Sequence, residues 1–525
     1  MRTRLRVSRG CDGTSAALRT GPGTSTAETS RQQPTPAVKQ HRPDIMKMQH
    51  TCSTAGRDWT PTLVSSVAVA LACLVSCGYS IVVLNAPQQV LMKMANASVS
   101  EDFGVVLDAS SLDLLWGAVV TVVFAGATVG AMVGGSVADR IGRKLSIVVI
   151  EIVLATSGIL LFIGYEKKHV HWFFLGRIIG GFATGLTSSV CPLYVHEVAP
   201  PRLRSVLGIV TNLGFCMGFL LAQVLGLPEV LGRPDTVQYL LVAFLIPTLG
   251  AAALLPFCPE SPKYLLVNKG SEPDALSALS RLRGLPPHAL SSELSDHQAE
   301  AKLTAETPRW TLRALLADAV CRRRLLALLV ICVGQPSSGI TAVFFFSTAI
   351  FQRAGLSQSQ AALAAVGYGV ANVALTLLLG LGVARVPLKR LLTASCLGSA
   401  VCLAAFAGAL RLMEWYNWAA ACAVIFLIAF VMSFASGFGT IPWMLGTELF
   451  EQGPRALAVS AGSAAIWVSN CFIGLLFPVI YAQTGVACFI FFLAWCLLSA
   501  YVAHFHLPMS PPECSPAKDI ETVPV

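Results

Sequence analysis

The fold is decided by residues 135–144, whose sequence is GSVADRIGRK. Apolar segments near 114–137 and 145–164 flank this stretch, and each approaches the roughly 20 residues that span a hydrocarbon core. Positive charge beside a membrane explains the cations but not the aspartate or the glycines. Asp139 can pair with a cation from a neighbouring helix end, while Gly135 permits close helix approach and Gly142 a tight turn. These features indicate a functional loop between two membrane spans.

The composition excludes an ordinary soluble protein. Of 525 residues only 12% are charged and 54% are hydrophobic, whereas soluble domains carry about 25% charged residues. The 43 glycines also suit helices that pack closely in a bilayer. The 16 cysteines lie mostly in apolar runs, without a CxxC pair or a Cys/His cluster of metal spacing. Small apolar fillers are therefore predicted, with no metal and no cofactor.

Twelve apolar stretches approach the length of a membrane span. Those of the first half lie near 62–84, 114–137, 145–164, 172–194, 205–226 and 238–257. Those of the second half lie near 325–350, 360–384, 390–411, 418–445, 456–480 and 486–506. The predicted fold class is an all-α membrane protein with twelve transmembrane helices in two six-helix bundles.

Polar segments divide the chain into five parts. Residues 1–58 are predicted to form a disordered cytoplasmic arm, although an arm this basic and poor in acids would also suit a transit peptide. An N-terminal bundle over 59–257 precedes a cytoplasmic linker over 258–323, where leucines at helical spacing predict short interfacial helices. A C-terminal bundle over 324–506 and a cytoplasmic tail over 507–525 follow.

Basic residues predict the orientation in the membrane. Cations cluster in the loops at 138–144 and 385–390, which lie on the same side as both tails by parity. That side is predicted to be cytoplasmic, in a multi-pass protein of the plasma membrane. On the opposite side, the sequon Asn96-Ala-Ser98 makes Asn96 the predicted glycosylation site.

An internal repeat relates the two halves. Glu197 after the fourth span is followed seven residues later by Arg204, and Glu448 after the tenth span is followed seven residues later by Arg455. A basic loop also follows both the second and the eighth span. The pattern indicates parallel duplication, as in carriers that rock two bundles around a site at the midplane.

Several motifs resemble those of a known family. They are Asn85-Ala-Pro87, Gly176-Arg177, Pro192-Leu-Tyr-Val-His-Glu197, Pro259-Glu-Ser-Pro-Lys-Tyr-Leu-Leu266, Ile441-Pro-Trp443 and Thr447-Glu-Leu-Phe-Glu-Gln-Gly-Pro-Arg455. With the loop at 135–144, they resemble the facilitative hexose transporter (sugar porter) family of the major facilitator superfamily, over about 60–506. The resemblance implies the major facilitator fold and transport of a hexose, glucose or fructose, by alternating access.

The acids and cations at the helix ends suit a reversible latch. Such charges can bridge the bundles when the cytoplasmic side is shut and become hydrated when it opens. The alternative is that each pair anchors a loop within its own bundle. The gating candidates are Gly135, Asp139, Arg140, Gly142, Arg143, Glu197, Arg204, Arg385, Glu448 and Arg455.

A sugar site needs amide side chains, which donate and accept toward several hydroxyls, and flat aromatic rings. The resemblance places such a site on the fifth, seventh, eighth, tenth and eleventh spans. The implied substrate-binding residues are Asn212, Gln335, Thr341, Asn372, Trp443 and Asn470, with Phe345, Phe346 and Trp467 nearby. A lone asparagine within a span is also commonly a hydrogen-bond partner between helices.

Most departures from the family pattern lie in the second half. Tyrosines of the family are replaced by Phe345 and Phe346, and Thr341 stands where the family has asparagine. Where the family has glutamines, this chain has Asn212 and Pro336. Cys332-Val-Gly334 replaces the tripeptide Gln-Leu-Ser of the family, and Ala435 replaces a glutamate. A pocket made less polar in this way could prefer another hexose or bind weakly.

The first span bears on coupling. Proton-linked sugar carriers place an aspartate where Ser80 stands, and no acid or base occurs from Thr62 to Leu84. Because proton coupling needs a titrating group, uniport is favoured. Glu151, the one embedded acid, is predicted to be structural. Two alternatives stay open, a proton-coupled sugar symporter and a non-transporting sugar sensor with the same fold.

The expected partners are a hexose and the lipid bilayer, not a nucleic acid. An enzyme is not predicted, because no nucleophile–base set, metal cluster or phosphate-binding loop emerges from the sequence. The carboxyl-terminal residues Val523–Val525 match a weak scaffold-domain ligand, as many apolar carboxyl termini do.

Overall fold

The structure is a computed structural model that describes residues 59–306, 310–353, 355–380, 386–450 and 452–507. Helices make up the described chain, which contains no strand in these ranges. The predicted arm, the gating candidate Arg385 and the tail with Val523–Val525 lie outside the described residues.

The first bundle contains six spans and one short extra helix. Its helices are α1 (Pro61–Val82), the short α2 (Gln88–Phe103), α3 (Ala109–Ile141), α4 (Arg143–Glu166), α5 (Val170–Val198), α6 (Arg204–Leu225), α7 (Val237–Val242) and α8 (Leu245–Leu254). The sixth span is broken between α7 and α8, because Pro247 cannot donate a hydrogen bond to the carbonyl of Ala243.

Short helices connect the two bundles. They are α9 (Pro262–Val267), α10 (Glu272–Arg283), α11 (Ser291–Glu306) and α12 (Leu312–Ala317). Tyr264, Leu279 and Leu290 belong to a small apolar core shared by this segment. Of the leucines at helical spacing, Leu276 and Leu279 pack in this small core, whereas Leu282 and Leu315 belong to the main core.

The second bundle repeats the arrangement with more interruptions. Its helices are α13 (Ala319–Gln335), α14 (Thr341–Arg353), α15 (Gln358–Gly380), α16 (Leu388–Leu412), α17 (Ala419–Ala435), α18 (Ile441–Leu449), α19 (Gln452–Thr484) and α20 (Phe489–Phe505). A π-helical segment, Pro336–Ile340, joins α13 to α14, and Gly339 in it has a φ of 95°. Pro336 removes a donor and Gly339 supplies the left-handed turn, so the predicted continuous span is kinked.

The described helices account for the predicted twelve spans. Ten stretches are long and apolar enough to cross a membrane, and the last, Gly453–Phe505, contains both α19 and α20. The shorter apolar helix α17 supplies the remaining span. The predicted fold class of two six-helix bundles is confirmed.

Close packing of helix backbones holds the first bundle together. A Cβ atom at Gly126 of α3 would meet the carbonyl of Ile178, and one at Gly181 of α5 would meet the carbonyl of Val123. The two helices therefore cross with their backbones in contact, as small residues allow in a membrane.

Candidate functional site

The face of α3 toward the second bundle is buried at one end and exposed at the other. At the buried end, a Cβ atom at Gly117 would lie 2.9 Å from the Leu475 carbonyl of α19, and Phe124 is 2% exposed. Gly135 and Asp139, further along the same face, are exposed. The bundles are therefore closed at the end that contains Asn85, called here the Asn85 end, and open at the end that contains Arg143, the Arg143 end.

Hydrogen bonds between the bundles close the Asn85 end. Asn85 donates through Nδ2 to Ser347 Oγ over 3.2 Å, and Ser347 lies 3.2 Å from the Tyr368 hydroxyl. Gln89 Nε2 donates to Gln352 Oε1 over 2.9 Å. The sequence motif at Asn85 thus lies at a contact between the bundles, and Tyr368 is a member of this contact that sequence reasoning missed.

A small cavity lies beside these contacts. It has a volume of about 10 Å³, close to what one water molecule needs, and Asn85, Gln223 and Thr348 are among its lining residues. Asn85 Oδ1, both amide atoms of Gln223 and Thr348 Oγ1 have no hydrogen-bond partner. The closed end therefore presents polar side chains to a cavity of about the size of one water molecule.

A chain of polar groups crosses between α6 and α15, nearer the middle of the molecule. Asn212 Nδ2 donates to Thr376 Oγ1 over 3.5 Å, and Cys216 Sγ lies 3.6 Å from the same hydroxyl. Asn372 donates to Cys216 Sγ over 3.3 Å. The structure therefore connects the predicted Asn212 and Asn372 through Thr376 and Cys216. Sequence reasoning overlooked Thr376 and took Cys216 for an apolar filler.

The predicted residues of the seventh and eleventh spans form a second polar group. Thr341 donates to Asn470 Oδ1 over 2.8 Å, and Asn470 Nδ2 donates to the Ile466 carbonyl over 2.9 Å. Gln335 donates to the carbonyl of Gly439 over 2.7 Å, where the chain is broken between α17 and α18. Gln335 and Thr341 are buried next to the break between α13 and α14, where backbone carbonyls become available, whereas Asn470 is half-buried within α19.

The aromatic candidates form a platform that includes one residue from the first bundle. Trp467 stacks on Phe124 with ring centroids 5.9 Å apart, and Phe345 meets Phe124 edge-on at 5.4 Å. Trp443 meets Trp467 edge-on at 5.6 Å and is 38% exposed. Phe346 lies at the edge of the platform, with its ring centroid 6.4 Å from that of Phe345 and 5.5 Å from that of Phe477. Phe124 was missed because nothing in its local sequence distinguishes it from a lipid-facing residue.

Trp467 carries an unused hydrogen-bond donor in this platform. The side chain is 5% exposed, and its indole Nε1 has no hydrogen-bond partner. A buried polar atom without a partner costs free energy, so it marks a position where a ligand oxygen would be favoured. The platform therefore combines flat rings with one free donor.

Arg143 anchors the loop of residues 135–144 within the first bundle. Its guanidinium donates to both carboxylate oxygens of Glu197, over 2.8 and 3.0 Å, and lies 3.2 Å from Asp139 Oδ1. The Ser261 hydroxyl donates to Glu197 over 2.5 Å. Arg143 and Glu197 are buried, so this is a desolvated pair within one bundle. In this conformation Glu197 therefore anchors a loop within its own bundle, which is the alternative to a latch between the bundles.

The turn at Gly142 is fixed by a carboxylate from the linker. Gly142 has a φ of 92°, which favours glycine. Glu260 accepts hydrogen bonds from the backbone N–H groups of Arg143 and Lys144, over 2.9 and 3.2 Å. These donors are otherwise unsatisfied at the start of α4, and a carboxylate is favoured there. Glu260 is a loop-anchoring residue that belongs to the quoted PESP motif.

The other gating candidates stand apart in this conformation. Arg140 and Glu448 are exposed, and Arg455 donates to the Phe450 carbonyl over 3.1 Å. Arg204 has a buried Nε without a partner. None of these four described residues forms an ion pair with the opposite bundle. This agrees with an Arg143 end at which the bundles are apart. Their role in a latch stays a prediction.

Arg177 is buried in the first bundle among backbone carbonyls. It is 1% exposed and donates to the carbonyls of Ser80 and Ile81 in α1 and to that of Val120 in α3, the last over 2.8 Å. No carboxylate contacts its guanidinium in the described part of the chain. Glu151, the embedded acid, accepts a hydrogen bond from Cys73 over 2.7 Å instead.

The predicted glycosylation site lies within α2. Asn96 Oδ1 is buried, and the hydroxyl of Ser98 is held between Asp102 and the N–H of Val170. Glycosylation stays a prediction.

Comparisons with known proteins agree with this architecture. A family model described as Sugar (and other) transporter matches residues 66–511. Facilitated glucose transporter member 3 of solute carrier family 2 from Rattus norvegicus is 32% identical over 449 residues, covering 86% of this chain and 90% of that protein. Member 1 from Gallus gallus is 32% identical over 457 residues, with coverages of 86% and 92%.

A solved structure supports the fold independently. The xylose transporter XylE from E. coli, in a partially occluded inward-open conformation, superposes with a TM-score of 0.72 at 21% sequence identity. The match covers 86% of this chain and 98% of that one. The chain therefore belongs to the sugar transporter family, and it is a membrane transporter rather than an enzyme.

Proposed function

We propose that the chain is a facilitative uniporter of a hexose, glucose or fructose, which works by alternating access in the plasma membrane. The observation that carries the proposal is the asymmetric closure of the two bundles around a polar and aromatic middle. The Asn85 end is sealed by hydrogen bonds between bundles, whereas Gly135 and Asp139 of the Arg143 end are exposed. Basic loops assign the Arg143 end to the cytoplasm, with both termini, so this conformation is open inward.

The sugar would bind between the bundles, where the amide groups and the aromatic platform converge. Asn212 and Asn372 face each other across the bundle interface, and Asn470 and Gln335 lie on the second bundle. The free indole donor of Trp467 would bond a hydroxyl oxygen, and its ring would cover a pyranose face. The facilitated glucose transporters among the relatives support a hexose.

Uniport is supported by the surroundings of Arg177. The described partners of Arg177 are backbone carbonyls, which do not titrate. Among the described residues, no carboxylate next to this arginine is therefore available to bind a proton and couple its movement to that of the sugar. The one observation that favours a proton-coupled symporter is Glu151, a carboxylate within a span. Cys73 and Glu151 both belong to the first bundle, away from the bundle interface, which favours a structural role.

Uptake into proteoliposomes tests the proposal. Purified protein should carry labelled glucose or fructose down its gradient, and the initial rate should not change when an opposing pH gradient is imposed. Uptake that rises with an inward proton gradient, together with proton entry when sugar is added, would establish the symporter. Saturable sugar binding without any uptake would establish the non-transporting sensor.

Replacing Phe124 by alanine is expected to lower the KM for the transported hexose about fivefold. The stacked pair of Phe124 and Trp467 contributes about 1 kcal/mol beyond burial, which a sugar ring must displace to reach the tryptophan. The measurement is initial uptake over a range of sugar concentrations, with surface expression equalised. Phe244→Ala is the control, because Phe244 is equally buried in the first bundle but packs against Tyr79, outside the platform. A higher KM for Phe124→Ala would mean that Phe124 itself is a wall of the sugar site.

A further inference from the structure

We propose that Asp102, His169 and His171 form a binding site for a divalent transition-metal cation, with Zn²⁺ as the best match. The ligand atoms of the three side chains lie within 4.8 Å of one another. His169 Nδ1 is 3.2 Å from Asp102 Oδ1, and the two imidazole rings are 5.1 Å apart. The cluster lies at the Asn85 end of the first bundle, outside the sugar site and both gates.

The ligand set fits zinc chemistry. Two neutral imidazoles and one carboxylate are ligands that Zn²⁺ takes at about 2.0–2.2 Å, and tetrahedral coordination then brings ligand atoms to about 3.4 Å from one another. The ligand atoms of the three side chains are now up to 4.8 Å apart. Rotations of these surface side chains would bring the atoms to the shorter distance. A water molecule would complete the coordination, since Asp102 and His171 are exposed.

Groups behind the carboxylate hold it in position. Ser98 Oγ donates to Asp102 Oδ2 over 3.1 Å, and the backbone N–H of Val170 donates to Ser98 Oγ over 2.9 Å. Ser98 is 1% exposed, so this support is part of the packed structure. Such hydrogen bonds orient a metal ligand and raise its affinity for the ion.

The backbone brings the two histidines to the same place. Lys168 has a φ of 56°, the one positive φ found among the non-glycine residues that the structure describes. This turn comes directly before His169, the residue that precedes α5, and His171 lies in the first turn of that helix. A strained turn persists where its surroundings require it, here at the proposed site. Asp102 is 67 residues away in sequence, so the His-Val-His spacing alone did not reveal the cluster.

Neighbouring charges set limits on the affinity. Lys167 and Lys168 are exposed and carry positive charge, while Glu101 and Glu166 are exposed and carry negative charge. The long lysine side chains reach into water, where their charges are screened.

The bound cation would connect the end of α2 to the start of α5. We therefore expect Zn²⁺ to raise the melting temperature of the protein, because the ion binds the folded state.

The experiment uses the full chain in detergent, purified without a polyhistidine tag. Calorimetric titration with Zn²⁺ should show one saturable equivalent, and Co²⁺ should give the visible absorption of a four-coordinate ion. His169→Ala, His171→Ala and Asp102→Asn should each weaken binding at least tenfold, and Ser98→Ala by about tenfold. His288→Ala, an exposed histidine of the linker, should bind as the unchanged protein does.

Two results would overturn the site. One is the absence of saturable Zn²⁺ binding to the unchanged protein, and the other is equal affinity in all three ligand variants. Size-exclusion profiles and thermal unfolding without added metal identify any variant that has failed to fold. Tighter binding of Cu²⁺, lost in the same variants, would support the site and change its preferred ion. Because all three residues belong to the first bundle, the result does not depend on the proposed transport activity.

Discussion

Arg143→Ala is expected to remove most of the folded protein, while Arg140→Ala leaves folding nearly unchanged. The Arg143 guanidinium pairs with both oxygens of a Glu197 side chain that is 3% exposed. Removing one partner of a buried pair leaves an uncompensated charge and costs about 3–5 kcal/mol. Arg140 is exposed, and surface substitutions usually change stability by no more than about 0.5 kcal/mol. The measurement is thermal unfolding in detergent, followed by size-exclusion chromatography.

The two arginines are a matched pair, because they have the same chemistry within one loop. Combining Arg143→Met with Glu197→Leu should recover much of the lost stability, since no buried charge is then left alone. Equal melting temperatures for the unchanged protein and Arg143→Ala would contradict the anchoring role.

If the latch operates, Arg140→Ala and Glu448→Ala should lower the maximal flux more than they weaken sugar binding. Unchanged flux in both, at equal expression, would exclude it.

Trp467→Phe is expected to weaken hexose binding about tenfold without loss of a hydrogen bond within the fold. The indole Nε1 has no partner in the fold, so the stability cost of the change is limited to the packing lost with the smaller ring. A hydrogen bond to a sugar hydroxyl contributes about 1.4 kcal/mol, which corresponds to the tenfold change. Binding is measured by scintillation proximity with labelled hexose, alongside thermal unfolding.

Trp116 provides the control for this change. It is also buried, and its Nε1 is also without a partner, but it lies outside the proposed site. Trp116→Phe should therefore leave hexose binding unchanged and affect stability as Trp467→Phe does. Equal hexose affinities for Trp467→Phe and the unchanged protein would place the sugar away from this indole.

The fold was predictable from sequence because the features that define membrane spans lie in short, contiguous segments. Runs of about 20 apolar residues, basic loops and the repeat at Glu197 and Glu448 each depend on short segments. The breaks at Pro247 and Pro336 were harder, since proline within a span is tolerated when neighbours satisfy the freed backbone groups. Their positions emerge only once the neighbouring helices are in place.

The site was only partly predictable, because its members meet across the two bundles. Asn212 and Asn372 were found by resemblance, but their connection through Cys216 and Thr376 depends on how α6 and α15 pack. Phe124 was missed for the same reason. Glu197 was expected to work with the arginine seven residues on, yet folding brings it to Arg143, 54 residues earlier. Helix packing, which local spacing does not encode, decides these pairings.

Facilitative uniport of a hexose is tested most sharply by uptake of labelled hexose into proteoliposomes, with external pH varied at constant internal pH. Saturable, equilibrative uptake is expected, with an initial rate that is independent of the proton gradient and with no accompanying proton entry. Accumulation of hexose above its external concentration under an inward proton gradient would contradict it.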